Sequence, residues 1–225
     1  MSKEPFTLET LLLALGSTDP SVRFRAVQYA GVYPKLEFVE HLVNQFAIET
    51  EFFVLDMLTW ALIQNDHSLV IEKCLVELNS KNAQARAQSL HTLSKIKDGE
   101  TWVAITDSLL FDADDLVART AWRTAEILVP VNERAGLAQK LCKQLGRGER
   151  EVQRSLSRVL RDLGIAATEA LNVASFSENP AIKEHALATQ AMINEDEVRF
   201  ESSVLEAKRR ALIINAPMVD QSLLN

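Results

Sequence analysis

Apolar residues recur along the chain at helical spacing, in pairs of short runs separated by polar punctuation. Val117, Ala121, Ala125 and Leu128 step i, i+4, i+8, i+11, and so do Val152, Leu156, Leu160 and Leu163. Each set lines one face of a 3.6-residue helix. Such runs open on a shared motif: a capping residue, polar positions, an apolar anchor and a small residue four later. It reads Asp19-Pro20-Ser21-Val22-Arg23-Phe24-Arg25-Ala26, then Asn82-Ala83-Gln84-Ala85-Arg86-Ala87-Gln88-Ser89, then Asp114-Asp115-Leu116-Val117-Ala118-Arg119-Thr120-Ala121. Weaker copies start near Thr50, Glu149 and Asn179. The anchors Val22, Phe53, Ala85, Val117, Val152 and Ile182 lie 30 to 35 residues apart. A near-constant period in this range marks a repeat array.

Each motif has the chemistry of a helix start. Asp19, Thr50, Asn82, Asp114 and Asn179 can accept from the orphan N–H groups of the first turn. Pro20 and Pro180 fall at the first helical position, where no N–H is needed. Glu149 is a poorer cap, which leaves the fifth start free to shift by a residue or two. A second amphipathic run precedes each motif, over 8–15, 38–48, 69–78, 102–111, 136–145 and 167–176. Gly16, Gly99, Gly146 and Gly164 punctuate helix ends, and Pro34 and Pro130 follow second helices. The sequence therefore predicts an all-α chain of about six helical hairpins over 7–194. One more helix is expected over 196–214, with a short tail after it. Ala26, Ser89, Ala121 and Ala186 are the small residues where paired helices approach. A lone hairpin cannot bury its apolar face, whereas stacked hairpins share one core.

Composition agrees with helices. Gly and Pro number only 7 and 6 in 225 residues, and aromatics are 6%, which disfavours a turn-rich β-sandwich. Hydrophobic residues make up 47%, enough for a sizeable core. Cys74 and Cys142 are distant and lack a partner motif, so a reduced, cytoplasmic protein is expected. The apolar run 11–15 is too short to span a membrane, and no membrane partner is expected.

The Asp-Pro-x-Val-Arg-x-x-Ala start and the period resemble short bacterial HEAT repeats, of the armadillo type, over about 7–194. The stretches 58–62, 90–96, Thr120-Ala121-Trp122-Arg123 and 144–158 resemble a bacterial HEAT group sometimes associated with MerR-type regulators. The resemblance implies a right-handed α-α superhelix, an α-solenoid, with the second helices on its concave face. It implies a scaffold or adaptor that binds protein there, in the service of a regulator. Similar arrays include alkylpurine DNA glycosylases, which use an Asp beside aromatic residues in a basic groove. Asp56 and Trp60 share a helix face at i, i+4 and make nucleic-acid binding, with a glycosylase as its extreme, the alternative.

Chemical motifs are otherwise sparse. His41, His67, His91 and His185 are scattered and have no metal-ligand spacing. No nucleophile elbow or phosphate loop occurs, so no catalytic residue, metal or cofactor is assigned. Charge gives the sharper signal. Eight basic residues against two acidic ones stand between Arg134 and Arg161, a net +6 in a chain whose total is −7. Arg150, Arg154, Arg158 and Arg161 form one stripe, Arg119 and Arg123 repeat it a period earlier, and His91 and Lys95 occupy the related positions before that. The expected partner-binding set is His91, Lys95, Arg119, Arg123, Arg154, Arg158 and Arg161. An acidic protein surface is its expected ligand, ahead of nucleic acid, because the whole chain is acidic.

Overall fold

The computed structural model describes residues 6–194. The helix expected over 196–214 and the tail after it lie outside the described residues. Among the described residues every regular element is helical. Six hairpins follow one another. They pair α1 (Leu8–Leu15) with α2 (Pro20–Val32), α3 (Leu36–Asn44) with α4 (Phe52–Ile63), and α5 (His67–Glu77) with α6 (Ala83–Ile96). Then come α7 (Asp107–Leu110) with α8 (Asp115–Leu128), α9 (Arg134–Cys142) with α10 (Arg150–Asp162), and α11 (Thr168–Ser175) with α12, helical over 180–194.

The starts are built as the motif requires. The carboxylate of Asp19 accepts from the Ser21 N–H at 2.8 Å, Asn82 accepts from Ala85, Asp114 from Leu116, and Asn179 from Ala181. Thr50 is not the cap expected of it. Helix α4 starts after Glu51, and the Glu49 carboxylate accepts from the Thr50 and Glu51 N–H groups instead, each at 3.0 Å. Gly99 is not the helix stop either. Helix α6 ends on Lys97, in the left-handed region at φ 60°. The run expected as one helix over 102–111 splits into a 3-10 segment, Gly99–Ala104, and the four-residue α7. Ile105 and Thr106 interrupt it in non-helical backbone, Thr106 being extended, and the Asp98 carboxylate caps the first part by accepting from the Glu100 N–H.

Second helices pack in series, α2 on α4, α4 on α6, α6 on α8 and α8 on α10. One buried apolar cluster runs through all six hairpins, from Leu11 to Ala186. Ala26, Ser89, Ala121 and Ala186 are buried at the helix contacts. Gly31 is needed for a similar reason, because a Cβ there would collide with the Trp60 ring and backbone of α4.

Polar clasps tie one hairpin to the next. Arg23 of α2 donates from Nε and Nη2 to both oxygens of Glu49, at 2.7 and 2.6 Å, and from Nη1 to the Ser17 carbonyl. Arg86 of α6 repeats this with Asp112, at 3.0 and 3.1 Å, and with the Ser80 carbonyl. Each arginine stands four residues after its N-cap and reaches 26 residues ahead, to the inter-helix loop of the following hairpin. Gln84 ties α6 back to the Phe46 and Glu49 carbonyls. Burial alone would push the Glu49 carboxyl up, but hydrogen bonds from Arg23, the Glu51 N–H and Gln45 outweigh it and hold it below its usual range.

Two outcomes test this packing. Ala121→Leu, at a side chain with no exposed surface, should cost roughly 1–3 kcal/mol by overpacking; an unchanged melting temperature contradicts the contact. Arg23→Ala strands a fully buried carboxylate and should cost about 3 kcal/mol in a denaturant titration at neutral pH. Because the Glu49 pKa is lowered in the fold, this stabilisation is complete above the ordinary carboxylate pKa and disappears as pH falls through the folded value. Arg23→Ala should therefore flatten the acid limb of the wild-type stability curve.

Candidate functional site

The helix starts set which residues face outward. Counting from the caps, Arg119 and Arg123 of α8 and Arg154 and Arg158 of α10 fall at matching positions, one turn apart on each helix. The apolar face of α10, with Val152, Leu156, Val159 and Leu160 buried, turns its arginines away from the core. The two helices pack directly, so the four guanidinium groups line one groove of about 370 Å³, together with the carboxylates of Glu126 and Asp162.

These arginines are held differently. Arg119 donates to Glu151 at 2.7 Å, while its Nε is buried and has no partner. Arg123 lies along its own helix, donating to the Arg119 carbonyl and the Thr120 hydroxyl, each at 3.2 Å. Burial and the neighbouring Arg119 charge lower its pKa. Arg154 and Arg158 are exposed and carry no ion pair among the described residues. Glu126 pairs with Arg134 at 3.1 Å, and burial, followed by the charge of Asp162, raises its carboxyl pKa. Arg161 bonds Asp162 at 2.9 Å and does not line the groove. His91 and Lys95 of α6 do not line this groove. Burial, then Lys95 and Arg123, lower the His91 pKa, and Asp56 opposes them.

Half of the basic segment serves the fold rather than a surface. Arg134, Lys140, Arg147 and Arg161 pair with Glu126, Asp107, Asp115 and Asp162. Arg147 also donates to the Asp112 and Ala113 carbonyls and sits 5.9 Å from the ring of the buried Trp122. The charge excess is thus concentrated on fewer side chains than the net +6 implies.

Asp56 and Trp60 share an exposed face, but Asp56 is solvent-exposed and lacks any hydrogen bond or ion pair among the described residues. Cys74 and Cys142 are pushed up to about 12 and about 11 by burial, which keeps both as unreactive thiols at neutral pH. Among the described residues no group of His, Cys, Asp and Glu could hold a metal ion, and no helix is long and apolar enough to cross a membrane. Models of known protein families give no match to the chain, and neither do curated proteins.

One site was invisible in the sequence. His185, 6% exposed, pins α12 to the preceding hairpin. The Gly146 N–H donates to its Nδ1 at 3.0 Å, so Nε2 carries the proton and faces the Gln153 carbonyl at 3.1 Å and the Ser157 hydroxyl at 3.0 Å. Ser157 continues to Thr189 at 2.8 Å. Gly146 adopts φ 81° with Ala181 only 3.2 Å from where a Cβ would stand, so the turn fits glycine alone. A second proton on His185 would break the Gly146 bond, and burial accordingly lowers its pKa.

Stability from His185 is complete above its ordinary pKa of 6.5 and falls as pH drops from there through the lower folded value. His91 contributes with the same sign. The melting temperature should decrease between about pH 7.5 and 5.5, and His185→Gln should reduce that decrease. An equal decrease in wild type and variant would remove His185 as the cause.

Proposed function

We propose that the six hairpins form a HEAT-like, right-handed α-solenoid and that the protein is a non-catalytic scaffold which binds an acidic protein surface across its second helices. The observation that carries this reading is the groove between α8 and α10, where Arg123, Arg154 and Arg158 have no carboxylate partner among the described residues. A guanidinium donates two parallel hydrogen bonds to a carboxylate, and Arg is among the residue types enriched where protein surfaces meet. The series packing of second helices supports the solenoid, since it is the arrangement in which each repeat touches only its neighbours. Service to a transcriptional regulator is the role that the resemblance to MerR-associated HEAT proteins suggests.

Nucleic acid is the second reading, and the acidic total of −7 weighs against it. So do the carboxylates of Glu126, Glu151 and Asp162 inside the groove, which would repel a run of phosphates.

Arg154→Glu with Arg158→Glu should leave the melting temperature within a few degrees of wild type, because both side chains are exposed. The same pair should abolish capture of the partners that the wild-type chain retains from its host. A folded double variant that captures the same partners excludes the groove as the binding site.

A further inference from the structure

The exposed face of the second helices changes character along the array. On α4, Phe52, Asp56 and Trp60 step i, i+4, i+8, with Phe52 81% and Trp60 36% exposed. Phe53, 44% exposed, meets Phe24 of α2 at 5.7 Å between ring centroids, and Trp60 leans on Gly31 of the same helix. Two periods later the same register carries Arg119 and Arg123, and three periods later Arg154 and Arg158. His91 of α6 holds the same register between the two halves, and α4, α6, α8 and α10 pack in series. An aromatic end and a cationic end therefore share one continuous face.

We propose that this face binds a linear peptide segment with two unlike ends, carboxylates seated on Arg123, Arg154 and Arg158, and large apolar side chains seated on Phe52 and Trp60. The proposal rests on the reading that these arginines receive a protein's carboxylates, and adds an apolar anchor and a fixed separation. Exposed Phe and Trp on one helix face leave apolar area in water that a partner would remove. Three helix spacings of about 8–10 Å separate α4 from α10, so the segment spans roughly 24–30 Å, about eight extended residues. Charge placement chooses peptide over nucleic acid. Asp56, Glu126, Glu151 and Asp162 interrupt the face, and an evenly charged phosphate backbone would meet each of them, whereas a peptide with acids at one end avoids Asp56.

Random peptides displayed on phage and selected on the full chain test this directly, with the enriched sequences then measured as free peptides. Enriched peptides should carry an acidic cluster and, about eight positions away, Trp, Phe or Leu. Arg154→Glu with Arg158→Glu should weaken them at least about tenfold, and so, separately, should Trp60→Ala. Phe52→Ser, at a side chain that is almost wholly exposed, keeps the apolar arm readable if Trp60→Ala loosens the packing on Gly31. Peptides that need the arginines but ignore Phe52→Ser and Trp60→Ala overturn the two-ended segment and leave the scaffold reading standing. Failure to enrich any peptide, or enrichment indifferent to the arginines, overturns both. A single-stranded oligonucleotide that binds as tightly as the best peptide, and is lost steeply between about 50 and 300 mM salt, overturns them in favour of nucleic acid.

Discussion

Each helical hairpin of this chain carries an apolar face that only the next hairpin can cover. The buried cluster from Leu11 to Ala186 is the result, and nearly every other feature follows from the need to close it in one alignment. Apolar contacts alone tolerate sliding, whereas hydrogen bonds do not. Arg23 to Glu49, Arg86 to Asp112, Gln84 to the Phe46 and Glu49 carbonyls, and Gly146 to His185 each cross from one hairpin to the following one. A slip of one helical turn displaces a donor by about 5.4 Å and breaks them all. Glu49 shows how tightly this is built. Its carboxylate receives the Arg23 fork and also accepts from the Thr50 and Glu51 N–H groups just ahead of α4, so one side chain joins a tertiary contact to a local one.

The same constraint divides the arginines into two kinds. Those near a helix start or an inter-helix loop, Arg23, Arg86 and Arg147, meet carboxylates of the neighbouring hairpin. Those on the middle turns of α8 and α10 face away from the core, where the fold offers them little. Arg154 and Arg158 remain without ion pairs among the described residues, and the Nε of Arg119 is buried with no acceptor. The proposed binding function therefore rests on what the packing leaves unsatisfied.

Much of this was legible in the residues. The caps Asp19, Asn82, Asp114 and Asn179, the prolines after two of them, and the i, i+4 apolar spacing located the six hairpins, since these signals act within a few residues of themselves. Thr50 misled because its own N–H is bound by the Glu49 carboxylate that Arg23 holds in place, and α4 starts one residue later, after Glu51. The break at Ile105 and Thr106 was hidden by an apolar pattern that fits either one helix or two short pieces. The stripe on α8 and α10 could be read from spacing, and the groove does gather Arg119, Arg123, Arg154 and Arg158. What spacing could not separate was a clasp from a surface. Arg147 and Arg161 look like Arg154 in the sequence, and only their neighbours, Asp115 at 2.9 Å and Asp162 at 2.9 Å, remove them from the free set. His185 gave no signal at all, because its partner Gly146 lies 39 residues away.

The central claim is that the arginines facing away from the core bind carboxylates while the clasp arginines do not. Arginine Nε–H resonances report the two kinds separately in one sample. With a Glu-rich peptide titrated into the isotope-labelled full chain, the signals of Arg119, Arg123, Arg154 and Arg158 should move together and saturate. Those of Arg23, Arg86 and Arg147, already bonded to Glu49, Asp112 and Asp115, should stay in place. Groove signals that do not respond, or that move no more than those of the clasps, would contradict the account.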